Sequence, residues 1–176
     1  RVKVAALDGV LAKQIKGARE AVQMLVSYQD VEVRRRAVKA SIDLMEPGEA
    51  VESLDLLSSL LYDQDVPIKL AAIKAISTVR DRRAIVAISG VVIDRSAEVK
   101  LAALDALAAT GDKEALEGIQ KAVFDDDKTI RIAALNATEK LGRKEAIDFL
   151  NELLRLETDP DIHAKAEAVV KALIAL

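Results

Sequence analysis

The chain of 176 residues has no cysteine, no tryptophan, a single histidine, seven glycines, three prolines and only 2% aromatic residues. Without thiols there are no disulfides and no thiolate-bound metal, although this leaves the compartment open. The lone His163 has no partner nucleophile with which to form a catalytic triad. Scarce aromatics leave almost nothing on which bases could stack. The densest basic cluster, Arg34 to Arg36, has only Tyr28 nearby and reads as a solvated helix face. No apolar run approaches the roughly 20 residues that span a bilayer. No field of one charge sign exists either: 26 basic and 29 acidic residues are intermixed, with a net charge of −3. That balance argues against nucleic acid as the main ligand, and the short apolar runs against a membrane-spanning partner role.

The opening "RVKVAALDGVL" carries Asp8 and Gly9 inside its apolar stretch and lacks both a small-residue cleavage site and an initiator Met. It is no signal peptide. The expectation is a single domain over residues 1–176, a soluble piece of a longer, by default cytoplasmic protein. A chain of this length buries roughly 70% of its unfolded surface.

What the chain does have is helix-forming apolar mass. It is 51% hydrophobic and 31% charged, with Leu, Ile, Val and Ala in place of aromatics, which predicts an all-helical protein. Six copies of one text recur: "VKVAALDGVL" from Val2, "VRRRAVKASI" from Val33, "IKLAAIKAIS" from Ile68, "VKLAALDALA" from Val99, "IRIAALNATE" from Ile130 and "IHAKAEAVVK" from Ile162. The steps are 31, 35, 31, 31 and 32 residues, a period that marks a stacked array in which each unit covers its neighbour's apolar face. The longer step holds Pro47 and Gly48, a local insertion in a turn.

The fifth position of every copy is Ala: Ala6, Ala37, Ala72, Ala103, Ala134 and Ala166. Three places on stand Gly9, Ala40, Ala75, Ala106, Ala137 and Val169. Residues three apart share a helix face, so each first helix carries a small-residue stripe along which its neighbours approach closely. Leu7, Val38, Ile73, Leu104 and Leu135 flank the stripe and are assigned to the core. A second helix follows a short turn in each unit, with Gly111 and Gly142 placed for a left-handed helix end. Pro67 and Pro160 fall at or beside the first turn of a helix. Five helix pairs and a final first helix make about eleven helices in six repeats, the last partial.

This unit, an acid in the turn, then "VR" or "VK", then Ala and Leu at helical spacing, then Gly-Asp and a second helix, resembles a short HEAT repeat of the bacterial kind also found in phycobilin lyase subunits. The resemblance covers Val2 to Leu176. It implies an α-solenoid with a right-handed α-α superhelix, whose second helices line the concave side. Such arrays serve many purposes, so it says little about function.

A basic or titratable residue follows the Val/Ile of each copy: Lys3, Arg34, Lys69, Lys100, Arg131 and His163. Six residues before most of them stands an acid: Asp63, Asp94, Asp125 or Glu157. A basic stripe gripping an anion is one interpretation. The favoured one is a structural ladder like that of the HEAT family, in which the acid accepts hydrogen bonds at a helix N-terminus and the base bridges neighbouring units. "FDDDK" from Phe124 lacks the alternating acids, central Gly and closing Glu of an EF-hand and is assigned to a helix-capping turn. The resemblance also brings in HEAT-type di-iron hydroxylases, but these require several His–Glu pairs, and one histidine cannot supply them.

On the second helices, one row reads Gln23, Ser58, Ser89, Gln120 and Asn151, and another Glu20, Asp55, Val86, Glu117 and Asp148. Three residues separate the rows, so they share a face that is polar and acidic except around Val86 and Gly90. A third row, Lys16, Arg82, Lys113 and Lys144, borders the acidic one. The expected function is a non-catalytic protein–protein scaffold with no cofactor or metal. It would hold a partner with a basic segment against Glu20, Gln23, Asp55, Ser58, Ser89, Glu117, Gln120, Asp148 and Asn151, with the open ends available for self-association. The alternative is an enzyme-associated subunit resembling the phycobilin lyases. Last comes a HEAT-like nucleic-acid binder resembling the DNA glycosylases, which an acidic face without Trp argues against.

Overall fold

The computed structural model describes Gly9 and residues 19–45 and 51–176, with side chains in the first stretch from Val22 onward. Lys3, Ala6, Leu7, Lys16, the Glu20 side chain and the Pro47–Gly48 turn lie outside the described residues. Gly9 is helical. The other described helices are α1 (Arg19–Leu25), α2 (Val31–Asp43), α3 (Leu54–Leu60), α4 (Val66–Ile76), α5 (Arg82–Ser89), α6 (Ala97–Thr110), α7 (Ala115–Ala122), α8 (Lys128–Leu141), α9 (Ile147–Leu156) and α10 (Pro160–Ile174). One 3-10 turn, Lys144–Ala146, leads into α9, and no strand occurs among the described residues. None of these helices is long and apolar enough to cross a membrane.

The chain forms two compact units, Arg1–Val79 and Arg80–Leu176. Their boundary falls inside the third copy, after its first helix α4. In the first unit α1 packs on α2, α3 on α4, and the first helices α2 and α4 on each other. In the second unit the first helices α6, α8 and α10 pack in succession, the second helix α5 packs on α7, and α9 on α10.

The small-residue stripe makes this stacking possible. Ala37, Ala72, Ala103, Ala134 and Ala166 are all completely buried, and Ala40, Ala137 and Val169 on the same faces are buried too. Beside them Val38, Ile73, Leu104 and Leu135 fill the core, with Val33, Ile68, Val99, Ile130 and Ile162 at the start of each first helix. Small side chains let helix axes come together, and the large ones beside them interdigitate.

Helix ends follow local chemistry. Gly111 and Gly142 end α6 and α8 at φ of 67° and 65°, where a Cβ would be strained. Asp30, Asp65, Asp127 and Asp159 are the N-caps of α2, α4, α8 and α10, each accepting from a backbone N–H of the first turn. Pro67 and Pro160 occupy the first turns of α4 and α10, where no intrahelical donor is lost. The "FDDDK" turn is thus the cap of α8, with Asp127 accepting from the Thr129 amide at 2.8 Å.

Candidate interaction face

The charged ladder takes its geometry from the turns between repeats. In the first unit Arg34 on α2 makes a two-pronged contact with Asp63, Nε to Oδ2 and Nη2 to Oδ1, both at 3.0 Å. Its Nη1 donates to the carbonyls of Tyr28 and Gln29 at 3.0 Å. In the second unit Lys100 pairs with Asp125, and Arg131 Nε lies 3.0 Å from Glu157 Oε2. Arg131 also donates to the carbonyls of Asp125 and Asp126. Lys69 and Asp94, at the equivalent positions, are half-buried.

Arg34, Lys100 and Arg131 therefore each reach forward to the acid of the following repeat. Asp63, Asp125 and Glu157, which stand six residues before Lys69, Arg131 and His163, thus pair with the preceding base instead. Nor do the ladder acids cap helices. Asp63, Asp94 and Asp125 each accept from the amide two residues on, folding the turn, and Glu157 does the same with Asp159. Capping falls to the residue at that second position, four times an Asp; the fifth, Ser96, makes no side-chain cap bond. One acid shapes the turn and the next caps the helix because a single carboxylate cannot reach both sets of amides. His163, sixth in the series, lies 3.8 Å from Glu167 on its own helix.

These contacts lower several carboxyl pKa values. Asp65 is held below its ordinary value by hydrogen bonding from Arg35, Asp81 by Arg83 and Asp159 by Lys128. For Asp125 burial pushes upward, but hydrogen bonds from Lys100 and the Asp127 amide outweigh it. A depressed folded value stabilises the fold above the unfolded value, and that stabilisation is lost as pH falls through the folded value. Thermal midpoints are expected to stay level through neutral pH on this account and to fall below about pH 4. Calorimetry across that range checks it; a midpoint that rises on acidification contradicts it.

On the second helices the predicted rows separate. Gln23 on α1 and Asp55 on α3 are exposed and Ser58 is half-buried. In the second unit Glu117, Gln120, Asp148 and Asn151 are all exposed on α7 and α9. Glu117 lies 3.5 Å from Lys121, one turn on, whereas Asp148 has no ion-pair partner among the described residues. The bordering Arg82 pairs with Glu114 at 2.8 Å, and Lys113 and Lys144 are exposed. Ser89 departs from the row, being only 8% exposed. It is covered because α7 presents Gly118 to it: a Cβ at that position would stand 2.5 Å from Ser89 Oγ and 2.8 Å from Leu107 Cδ1.

One set of surface residues was not singled out from sequence. Ile93 and Phe124, in the turns that follow α5 and α7, and Leu156, the last residue of α9, are 66%, 43% and 65% exposed. Tyr62 holds the same position in the first unit and is also exposed. Each stands six residues before the next Val/Ile, directly ahead of the ladder acid. The sequence signal was there, a large apolar residue opening every acidic turn, but only burial separates a core position from a surface one.

A description of HEAT repeats matches residues 86–171. No curated protein sequence matches the chain. Among solved structures, an archaeal HEAT-like repeats protein from Thermococcus onnurineus NA1 is 18% identical with a TM-score of 0.54, over 98% of this chain and 75% of that one. A designed armadillo repeat protein in complex with the peptide (KR)4 is 18% identical with a TM-score of 0.55, over 97% of this chain and 91% of that one. An engineered protein, also 18% identical, gives 0.55 over 98% and 84%. At these identities the likeness concerns fold alone. With the repeat period, the buried alanine stripe and the stacked helix pairs, it establishes an all-α repeat solenoid fold, and residues 86–171 match HEAT repeats.

Proposed function

We propose that the chain is a non-catalytic protein-binding scaffold that holds a basic segment of another protein against the exposed faces of its second helices, the concave side in HEAT-type stacks. The observation that carries this is the repetition in the second unit of an exposed carboxylate and an exposed amide one turn apart: Glu117 with Gln120 on α7, Asp148 with Asn151 on α9. Carboxylates on consecutive repeats suit ammonium and guanidinium groups spaced along one chain, and the amides both donate to and accept from peptide groups. In the first unit an exposed carboxylate, Asp55, and a half-buried hydroxyl, Ser58, stand at the matching positions of α3. A protein of the same fold class carrying a (KR)4 peptide is consistent with such a partner.

The test is titration calorimetry at low salt with a synthetic (Lys-Arg)4 peptide. Exchanging both carboxylates, Glu117→Lys with Asp148→Lys, is expected to weaken binding at least about ten-fold. The residues are exposed, so the fold should be unaffected. Unchanged affinity would remove this face from consideration.

A further inference from the structure

We propose, resting on the scaffold function above, that Val86 fixes the order of residues in the bound basic segment. The segment sets an uncharged, apolar side chain over α5 and its basic side chains over α7 and α9.

Val86 holds in its repeat the position that Glu117 and Asp148 hold in the next two. It is the member of that row in the second unit without a charge, and it is 63% exposed. Two contacts place it beside Glu117. Arg82, one turn before Val86, reaches across to Glu114, one turn before Glu117 at the head of α7, with Nε 2.8 Å from Oε2. Ser89, one turn after Val86, lies against Gly118, the residue next to Glu117; a Cβ on Gly118 would stand 2.5 Å from the serine hydroxyl. Val86 and Glu117 are bracketed by these contacts on adjoining helices, and the Glu117 side chain is 83% exposed.

The charges around Val86 offer a cation nothing. Arg82 is paired with Glu114, and Arg83 with Asp81 at 3.0 Å, so two bases and two acids cancel. A ligand lysine over α5 would lose water beside two guanidiniums, with no uncommitted carboxylate to replace it. An apolar side chain pays no such penalty. It meets the valine, and Gly90, one turn on, brings no side chain to that side. Over α7 the exposed Glu117 carboxylate, 3.5 Å from Lys121, is open to a ligand cation, and α9 adds Asp148 and Glu152 against Arg155. Acidity therefore grows from α5 towards α9. Refusing a charge at one repeat while attracting it at the next turns general attraction for basic chains into a sequence preference.

Three synthetic peptides test this by fluorescence anisotropy with the full chain at low salt: (Lys-Arg)4, Leu-Ala-(Lys-Arg)3 and (Lys-Arg)3-Ala-Leu. The last two cover both directions of binding. One of them is expected to bind at least as tightly as (Lys-Arg)4 despite carrying two fewer charges. Val86→Glu should tighten (Lys-Arg)4 about three-fold, the worth of one exposed ion pair, and leave the favoured leucine peptide no tighter, so that the order reverses. Val86→Gln adds no charge; it should weaken the leucine peptide and leave (Lys-Arg)4 unchanged. Val86 is exposed, so circular dichroism of the variants should match that of the native chain. Tighter binding of (Lys-Arg)4 than of both leucine peptides to the native chain would overturn the proposal, as would affinities that neither substitution moves. If Glu117→Lys with Asp148→Lys still weakens (Lys-Arg)4 in that event, the scaffold function stands and only the role of Val86 falls. If those two changes have no effect either, both fall.

Discussion

Arg131→Ala is expected to destabilise the second unit by about 2–3 kcal/mol, seen as a lower denaturation midpoint in urea. Arg131 and Glu157 side chains are only 16% and 10% exposed, and they meet at 3.0 Å. Truncating the arginine leaves a poorly hydrated carboxylate without its cation. It also strips a donor from the carbonyls of Asp125 and Asp126, which Arg131 holds at 2.8 and 3.1 Å. Arg131→Lys is expected to recover only part of the loss, since one ammonium cannot serve the carboxylate and both carbonyls in the fixed fork of a guanidinium. A double change, Arg131→Met with Glu157→Leu, separates the two contributions. Stability near that of the native chain would place the cost in the orphaned charge. A loss equal to that of Arg131→Ala would place it in the turn carbonyls. A loss under about 0.5 kcal/mol in the single variant would mean the ladder behaves as an ordinary surface pair.

Gly118→Ala should cost about 2 kcal/mol despite an intrinsic helix preference of roughly 1 kcal/mol in favour of Ala. Gly118 is buried within α7, and a Cβ there would meet Ser89 Oγ at 2.5 Å, Ser89 Cβ at 2.9 Å and Leu107 Cδ1 at 2.8 Å. Leu107 is fully buried, but its Cδ1 is the far end of a flexible side chain, whereas Ser89 Cβ is fixed to the α5 backbone. The clash therefore forces α5 and α7 apart. Adding Ser89→Gly removes both serine atoms and is expected to restore most of the stability, whereas Ser89→Ala leaves the Cβ contact and should restore little. Rescue by Ser89→Ala as complete as by Ser89→Gly would show that the hydroxyl alone sets the distance. A Gly118→Ala variant as stable as the native chain would show that α5 and α7 can separate without cost.

Both predictions concern contacts between repeats, and that is where sequence reasoning reached its limit. The period of 31 residues, the alanine stripe from Ala37 to Ala166, the glycines that end α6 and α8 and the prolines that open α4 and α10 were all legible. The ladder was legible as a pattern, but its pairing was not. Asp125 is six residues from Arg131 in the chain, yet its ion pair is with Lys100. Ser89 and Gln120 occupy one row, yet the first is buried and the second exposed.

What the sequence by itself determined is everything decided within one turn of chain: helix periodicity, which side is apolar, caps, and left-handed glycine ends. These depend on neighbours a few residues away, and the 31-residue repeat states the same local solution several times over. Only the tertiary structure decided which acid each base meets, that Ser89 closes against Gly118, and that Ile93, Phe124 and Leu156 remain in solvent. The distance between two packed helices depends on the side chains of both. A missing Cβ on α7 brings α5 close enough to bury a serine, and an apolar residue at a helix end is covered only where a neighbour extends over it.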